Sequence, residues 1–286
     1  MDRFKDAKKV SILGVIANIF LLIMKGIIGF FSHSQAMIVD AFNSAGDVFS
    51  SVMTFIGNKI ASRPNDEDHN LGHGKAEYIF SLLISVSMMY ISIKLLINSA
   101  KSFFNHDVYK FSIYLIIISI VCIIIKLLLF IYTKYYYHKS NNILLKANMI
   151  DHRNDIIITS FTLISAFFSK YGIYWFDSLV GFLISIWLFY TGLVIYLESY
   201  DVLMDKTIGE NGKQKVLDIT SKYPQIKKIQ HFNSTPIGYK YQISLTIFVD
   251  GDMSTYDSHK IADRLEKDIC ENIDDVYLAI IHVNPL

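Results

Sequence analysis

Apolar runs and short charged stretches alternate along residues 1–200, and the pattern changes after Asp201. Six runs are long enough to cross roughly 30 Å of hydrocarbon at about 1.5 Å of helical rise per residue. They are Val10–Phe31, Gln35–Ile60, Tyr78–Ala100, Phe111–Tyr132, Ile143–Phe168 and Trp175–Glu198. The second and fifth are unlike the rest, because they carry Asp40, Asn43 and Asp47, and Asn148, Asp151, Arg153 and Asp155. Apolar residues flank these acids on both sides, so both remain spans. Beyond Asp201 the pattern predicts a helix over Glu210–Tyr223, strands over Ile226–Asn233 and Tyr239–Val249 joined by a Pro236–Gly238 turn, a helix over Tyr256–Glu271 and a last strand over Val276–Val283. The expected architecture is therefore a membrane all-α bundle of six transmembrane helices (residues 1–200) and a C-terminal cytoplasmic α+β domain (residues 201–286).

Charge sets the orientation. Arg3, Lys5, Lys8, Lys9, Arg63, Lys75, Lys134, Lys139 and Lys146 fall on one side and Lys101, Lys110 and Lys170 on the other, so the richer side, with both termini, is cytoplasmic. Tyr135, Tyr136 and Tyr137 read as interfacial anchors. A net charge of +1 gives no field that would favour nucleic acid as a partner. The two cysteines, Cys122 and Cys270, have neither metal-finger nor disulfide spacing. The first apolar run is too long for a signal segment and reads as a span. A multi-pass protein of the cell membrane is the expected class.

Acids at bilayer depth are costly and usually face a cavity or a pathway. Asn43 and Asp47 are i and i+4, with Asp40 one turn earlier, so the three share one helix face. Asp151 and Asp155 repeat that spacing, with Asn148 on the same stripe. Two helices that each offer an oxygen pair can close a four-ligand cage around one cation. A dication, or protons, would relieve the repulsion between carboxylates one turn apart. The competing structural reading pairs the acids with Arg153, Lys25 or Lys126. Arg153 lies about 100° off the stripe and reads as an anchor for a neighbouring helix. Lys25 and Lys126 are open between charge pairing and transport, and Asp40 between support of the site and helix packing. In the loop after the second span, Asp66, His69 and His73 form a candidate second metal site of mixed oxygen and nitrogen ligands, against the alternative of a solvated turn. The tail adds His231, His259 and His282 on separate elements.

The string from His33 through Gln35, Asp40, Asn43 and Gly46 to Asp47 resembles the cation diffusion facilitators. So do the Gly72-His73-Gly74-Lys75-Ala76-Glu77 turn and the Asp151-His152-Arg153-Asn154-Asp155 segment. The resemblance implies a homodimeric metal/proton antiporter that exports divalent metal from the cytoplasm, with a ferredoxin-like tail that dimerises. It implies a transport site of Asn43, Asp47, Asp151 and Asp155, a loop site of Asp66, His69 and His73, and tail metal ligands at His231, His259 and His282. Ser244 and Asn284 stand where a histidine and an aspartate would complete a paired tail centre. Zinc-transporting relatives place a histidine at the position of Asn43 or Asp151, and the set here is similar to the manganese-exporting branch. One helical step turns His152 about 100° from Asp151, away from the site. An all-oxygen set suits Mn²⁺, and Zn²⁺ remains an alternative because raw affinity follows the Irving–Williams order. Two other classes are weighed: an intramembrane aspartyl protease, whose full glycine-aspartate signature is missing, and a metal sensor, for which the tail offers no output motif.

Overall fold

The computed structural model describes residues 2–31, 35–105, 113–170 and 175–286. The side chains of Asp40 and Asn43, the His33-Ser34 start of the motif and the expected span start at Phe111 lie outside the described residues. Six long helices come first: α1 (Asp2–Phe31), α2 (Gln35–Ala61), α3 (Ala76–Asn105), α4 (Ile113–Ser140), α5 (Ile143–Lys170) and α6 (Trp175–Leu203). They are followed by α7 (Gly209–Thr220), β1 (Lys228–Ile237), β2 (Lys240–Val249), α8 (Thr255–Asn272) and β3 (Val276–Pro285). Among the described residues, four segments are long and apolar enough to cross a membrane: Phe4–Ile28, Ala76–Lys101, Ile116–Ser140 and Ser178–Leu203. The helices α2 and α5 are as long, but their acids and amides lower their hydropathy.

The chain divides into two compact units. In the first, made of residues up to Ser62 and Ala76–Tyr200, polarity is inverted relative to a water-soluble bundle. Along α1, Ser11, Asn18 and Lys25 recur every seven residues and are buried, whereas Ile16, Phe20 and Ile27 point outward. Along α3, Ser81, Ser85, Ser92 and Ser99 are buried. Small and polar interiors with an apolar exterior are what lipid selects, since apolar side chains gain nothing by leaving it. Close approach follows from the small residues. A Cβ added at Gly57 of α2 would lie 2.7 Å from the Phe80 side chain of α3. The α4–α5 turn is local: Asn141 adopts a positive φ of 50°, and the Asn142 side chain accepts from the Leu144 and Leu145 amides, capping α5. Tyr136 and Tyr137 are partly buried against Ala7, Val10 and Leu145, so they are packing residues, while Tyr135 is exposed.

The second unit joins Arg63–Lys75 to Asp201–Leu286. The loop between α2 and α3 therefore groups with the tail, and the division does not fall simply at residue 200. A three-stranded sheet has the order β1-β2-β3, antiparallel between β1 and β2 and parallel between β2 and β3. Alternate residues Ile243, Leu245, Ile247 and Val249 of β2 enter a core with Val216 and Ile219 of α7 and Leu265 and Ile269 of α8. Ser254 caps α8 by accepting from the Asp257 amide. Gly74 of the loop meets Gly238 of the β1–β2 turn so closely that a Cβ at Gly238 would lie 2.9 Å from the Gly74 Cα. Lys75 donates to Asp205 at 2.7 Å.

Candidate transport site and loop metal site

Helix α2 is held against α1 by Asn18, whose amide donates to the Ser51 hydroxyl at 2.8 Å and to the Asp47 backbone carbonyl at 3.2 Å. That fixes the turn carrying Asp47. Lys25 donates to Ser44 at 2.9 Å, one turn before Asp47. On the other side, the Asn142 cap sets where α5 begins and hence where Asp151 and Asp155 fall along it. Arg153 stacks over the Trp187 ring of α6 at 4.7 Å, which ties α5 to α6.

Between α2 and α5 lies Lys126 of α4, with only 1% of its side chain exposed. Its ammonium donates to Asp47 Oδ2 at 2.8 Å and to Asp155 Oδ2 at 2.5 Å. One nitrogen bonded to both oxygens means that the acids of α2 and α5 meet at a common point. Asp151, His152 and Asp155 each bring one ligand atom within 4.8 Å of the others. The reading that His152 turns away is corrected here: the 100° step separates Cα positions, not the ends of side chains. His152 is fully buried, and neither ring nitrogen has a hydrogen-bond partner among the described residues. The same holds for both amide atoms of Asn148 and for Asp151 Oδ2. Buried polar atoms normally have partners, so the Asn148 carbonyl oxygen, Asp151 Oδ2 and one nitrogen of His152 are each open to a cation. Part of the structural reading is also met, since Lys126 pairs with Asp47 and Asp155.

The loop cluster is built locally. Gly72, at φ +79°, closes a turn in which its amide donates to the His69 carbonyl at 2.9 Å. The His69 amide donates to Asp66 Oδ1 at 2.7 Å. His69 Nδ1 lies 3.1 Å from the same oxygen, and His73 Nε2 lies 3.3 Å from Asp66 Oδ2. His73 Nδ1 is 3.1 Å from the Pro64 carbonyl, a contact that leaves Nε2 as the nitrogen able to coordinate a metal. Partial desolvation pushes the Asp66 carboxyl up, but the His69 amide and ring and the His73 charge outweigh it and hold the group below its usual value. Among the described residues, His231, His259 and His282 belong to neither metal-capable cluster. His231 sits at φ +52° in the bulge of β1, His259 on α8 and His282 on β3 opposite Thr246, all exposed.

Residues 11–204 match the cation efflux transmembrane domain. The chain belongs to the cation efflux, or cation diffusion facilitator, family. Residues 209–286 of this cation efflux protein match the family's cytoplasmic, dimerisation domain. It is 25% identical over 267 residues to the magnetosome protein MamM of Paramagnetospirillum magneticum, covering 92% of this chain and 84% of that protein. To the manganese efflux system protein MneP of Bacillus subtilis it is 26% identical, covering 99% of this chain and 98% of the relative. To the cation-efflux pump FieF of Shewanella oneidensis it is 24% identical, covering 98% and 94%. About a quarter of the chain (26%) is similar to the metal-bound C-terminal domain of a CzcD transporter from Thermotoga maritima, at 27% identity and a TM-score of 0.26, covering 87% of that domain. The cation efflux protein is thus a multi-pass membrane transporter of metal cations and not an enzyme.

Proposed function

We propose that this cation efflux protein exports Mn²⁺ from the cytoplasm in exchange for protons. It would do so by alternating access, as a homodimer of chains with six membrane-crossing helices, a ferredoxin-like tail and both termini in the cytoplasm. The observation that carries the reading is the shared contact of Asp47 and Asp155 on one nitrogen, which brings acids of α2 and α5 to a single cation-sized point. Asn43, Asp47, Asp151 and Asp155 would hold the metal, with Asp40 and Asn148 in support. Oxygen ligands suit Mn²⁺, which accepts more ligands than tetrahedral Zn²⁺ and can draw on water or backbone oxygens. Protons compete for the same carboxylates, so metal leaves where the solution is more acidic. Asp66, His69 and His73 would take a second metal in the loop, and His231, His259 and His282 would serve the tail. In proteoliposomes with an imposed pH gradient, Asp47→Ala and Asp155→Ala should each abolish Mn²⁺ uptake while the protein still inserts. Flux at the wild-type rate in either variant rejects the assignment.

One observation favours a second reading, export of Zn²⁺, Fe²⁺ or Co²⁺. His152 adds an imidazole within reach of Asp151 and Asp155, and imidazole favours these metals over Mn²⁺. Under this reading, His152→Gln should weaken Zn²⁺ and Co²⁺ transport roughly tenfold or more, the scale on which altering one group around a metal acts, with Mn²⁺ little changed. Equal effects on all metals in a competition series would remove His152 from the ligand set.

A further inference from the structure

Among the described residues, the lysine that joins the two acids is the largest fully buried side chain in the bundle. Lys126 is not an incidental surface charge drawn inward. It stands on α4 (Ile113–Ser140), a helix whose other described positions near it are apolar: Ile123, Ile124, Ile125, Leu127, Leu128 and Leu129. A primary ammonium in such surroundings is costly and needs a partner that cannot be replaced by water. It has two, Asp47 Oδ2 at 2.8 Å and Asp155 Oδ2 at 2.5 Å, one from each of the helices on which the proposed site rests.

A metal ion bonded to Asp47 and Asp155 through these two oxygens would sit between them, at about 2.0–2.2 Å from each for a small dication. The ammonium stands there at hydrogen-bond distance. Two cations cannot share that point, by exclusion and by repulsion alike. We propose that Lys126 is a tethered competitor for the transported metal: a built-in cation that must withdraw from Asp47 and Asp155 when metal binds, and whose return helps release it. The proposal rests on the transport-site reading above and adds to it a residue from a third helix.

The charge count is compatible with withdrawal rather than loss. Asp47, Asp151 and Asp155 carry three negative charges when ionised, and one dication with one ammonium balances them. The lysine can therefore stay charged and close by, with its four-carbon stem allowing the head to move while α4 stays in place. Its effect is to set the affinity at a value the transporter can reverse, since an ion held too tightly is not released. Lys126 is a positioning and affinity-setting residue and not a ligand.

The test uses the full chain in detergent for Mn²⁺ binding and in proteoliposomes for Mn²⁺ flux. Lys126→Met should bind Mn²⁺ roughly tenfold or more tightly, as expected for loss of one directly opposed charge. Maximal flux should fall by a similar factor because release is slowed. Lys126→Gln is one atom shorter but keeps a donor without the charge, and should behave in the same way. In Lys126→Ala, added n-propylammonium should weaken Mn²⁺ binding in competition and restore part of the flux, which charge at a distance alone would not do. Unchanged Mn²⁺ affinity in both Lys126→Met and Lys126→Gln overturns the proposal. So does a variant that fails to fold even with Mn²⁺ present, because the dication should replace the missing charge. Asp155→Ala is measured alongside: retained tight Mn²⁺ binding there would overturn the transport-site reading itself, whatever Lys126 does.

Discussion

At the scale of single residues, context decides what an ionisable group does. Tyr223 shows this outside the bundle. Its phenol donates to Asp268 Oδ2 at 2.5 Å. Burial and that carboxylate push it from its ordinary 10.0 up to about 12. The folded tail favours the neutral phenol, so the stability this contact gives is fully present below about pH 10 and is lost as pH rises through about 12. In an ultraviolet titration, the difference between wild type and Tyr223→Phe should show one phenol with a midpoint near 12, and the wild-type tail should lose thermal stability across that interval while the variant does not. A midpoint near 10 would discard the contact. His152 teaches the converse lesson about reading a string: helical angle places a backbone, whereas an imidazole can swing back toward the residue before it. The oxygens of Asp47, Asp151 and Asp155 are legible from their spacing. Lys126 is legible only as one of three basic residues that could pair with the acids, and its choice of Asp47 and Asp155 is not, because it joins helices distant in sequence.

At the scale of elements, apolar length marks where helices cross but not where they end. The first helix starts at Asp2, ahead of the expected Val10, because its charged turn carries Asp6, which accepts from Lys139 of α4 at 2.7 Å. The third runs past Ala100 to Asn105 and the sixth past Glu198 to Leu203. In the tail, β1 runs through Pro236 to Ile237, where a turn is expected. Proline is tolerated there because β1 is an edge strand and needs no donor on its outer side. Helix contacts are set by small residues, and Gly57 is the sharpest case. Gly57→Leu should force α2 from Phe80 and cost about 1–3 kcal/mol, the usual range for an overfilled interior, read as a lower unfolding temperature of the purified protein. A midpoint unchanged from wild type would mean that α2 and α3 do not approach as closely as a 2.7 Å Cβ contact requires.

For the whole molecule, the two families of contacts obey opposite rules. One unit hides serine, asparagine and lysine and displays isoleucine, and the other buries a β2–α8 apolar core. This contrast is legible from composition along the chain, because each solvent selects its own exterior. The membership of residues 63–75 is not legible. Two glycines that meet backbone to backbone leave no hydrophobic signature and no charge pattern, and they are far apart in sequence.

That glycine contact bears on how the soluble portion should be cut out for study. A fragment beginning at residue 201 keeps every strand and both tail helices, yet it leaves Gly238 facing solvent where Gly74 belongs. Supplying a peptide of residues 63–75 in trans, or fusing it ahead of residue 201, should raise the fragment's melting temperature, and replacing Gly238 by valine should cancel the gain. If the added stretch changes nothing, the loop is merely a tether between helices and the tail is self-sufficient.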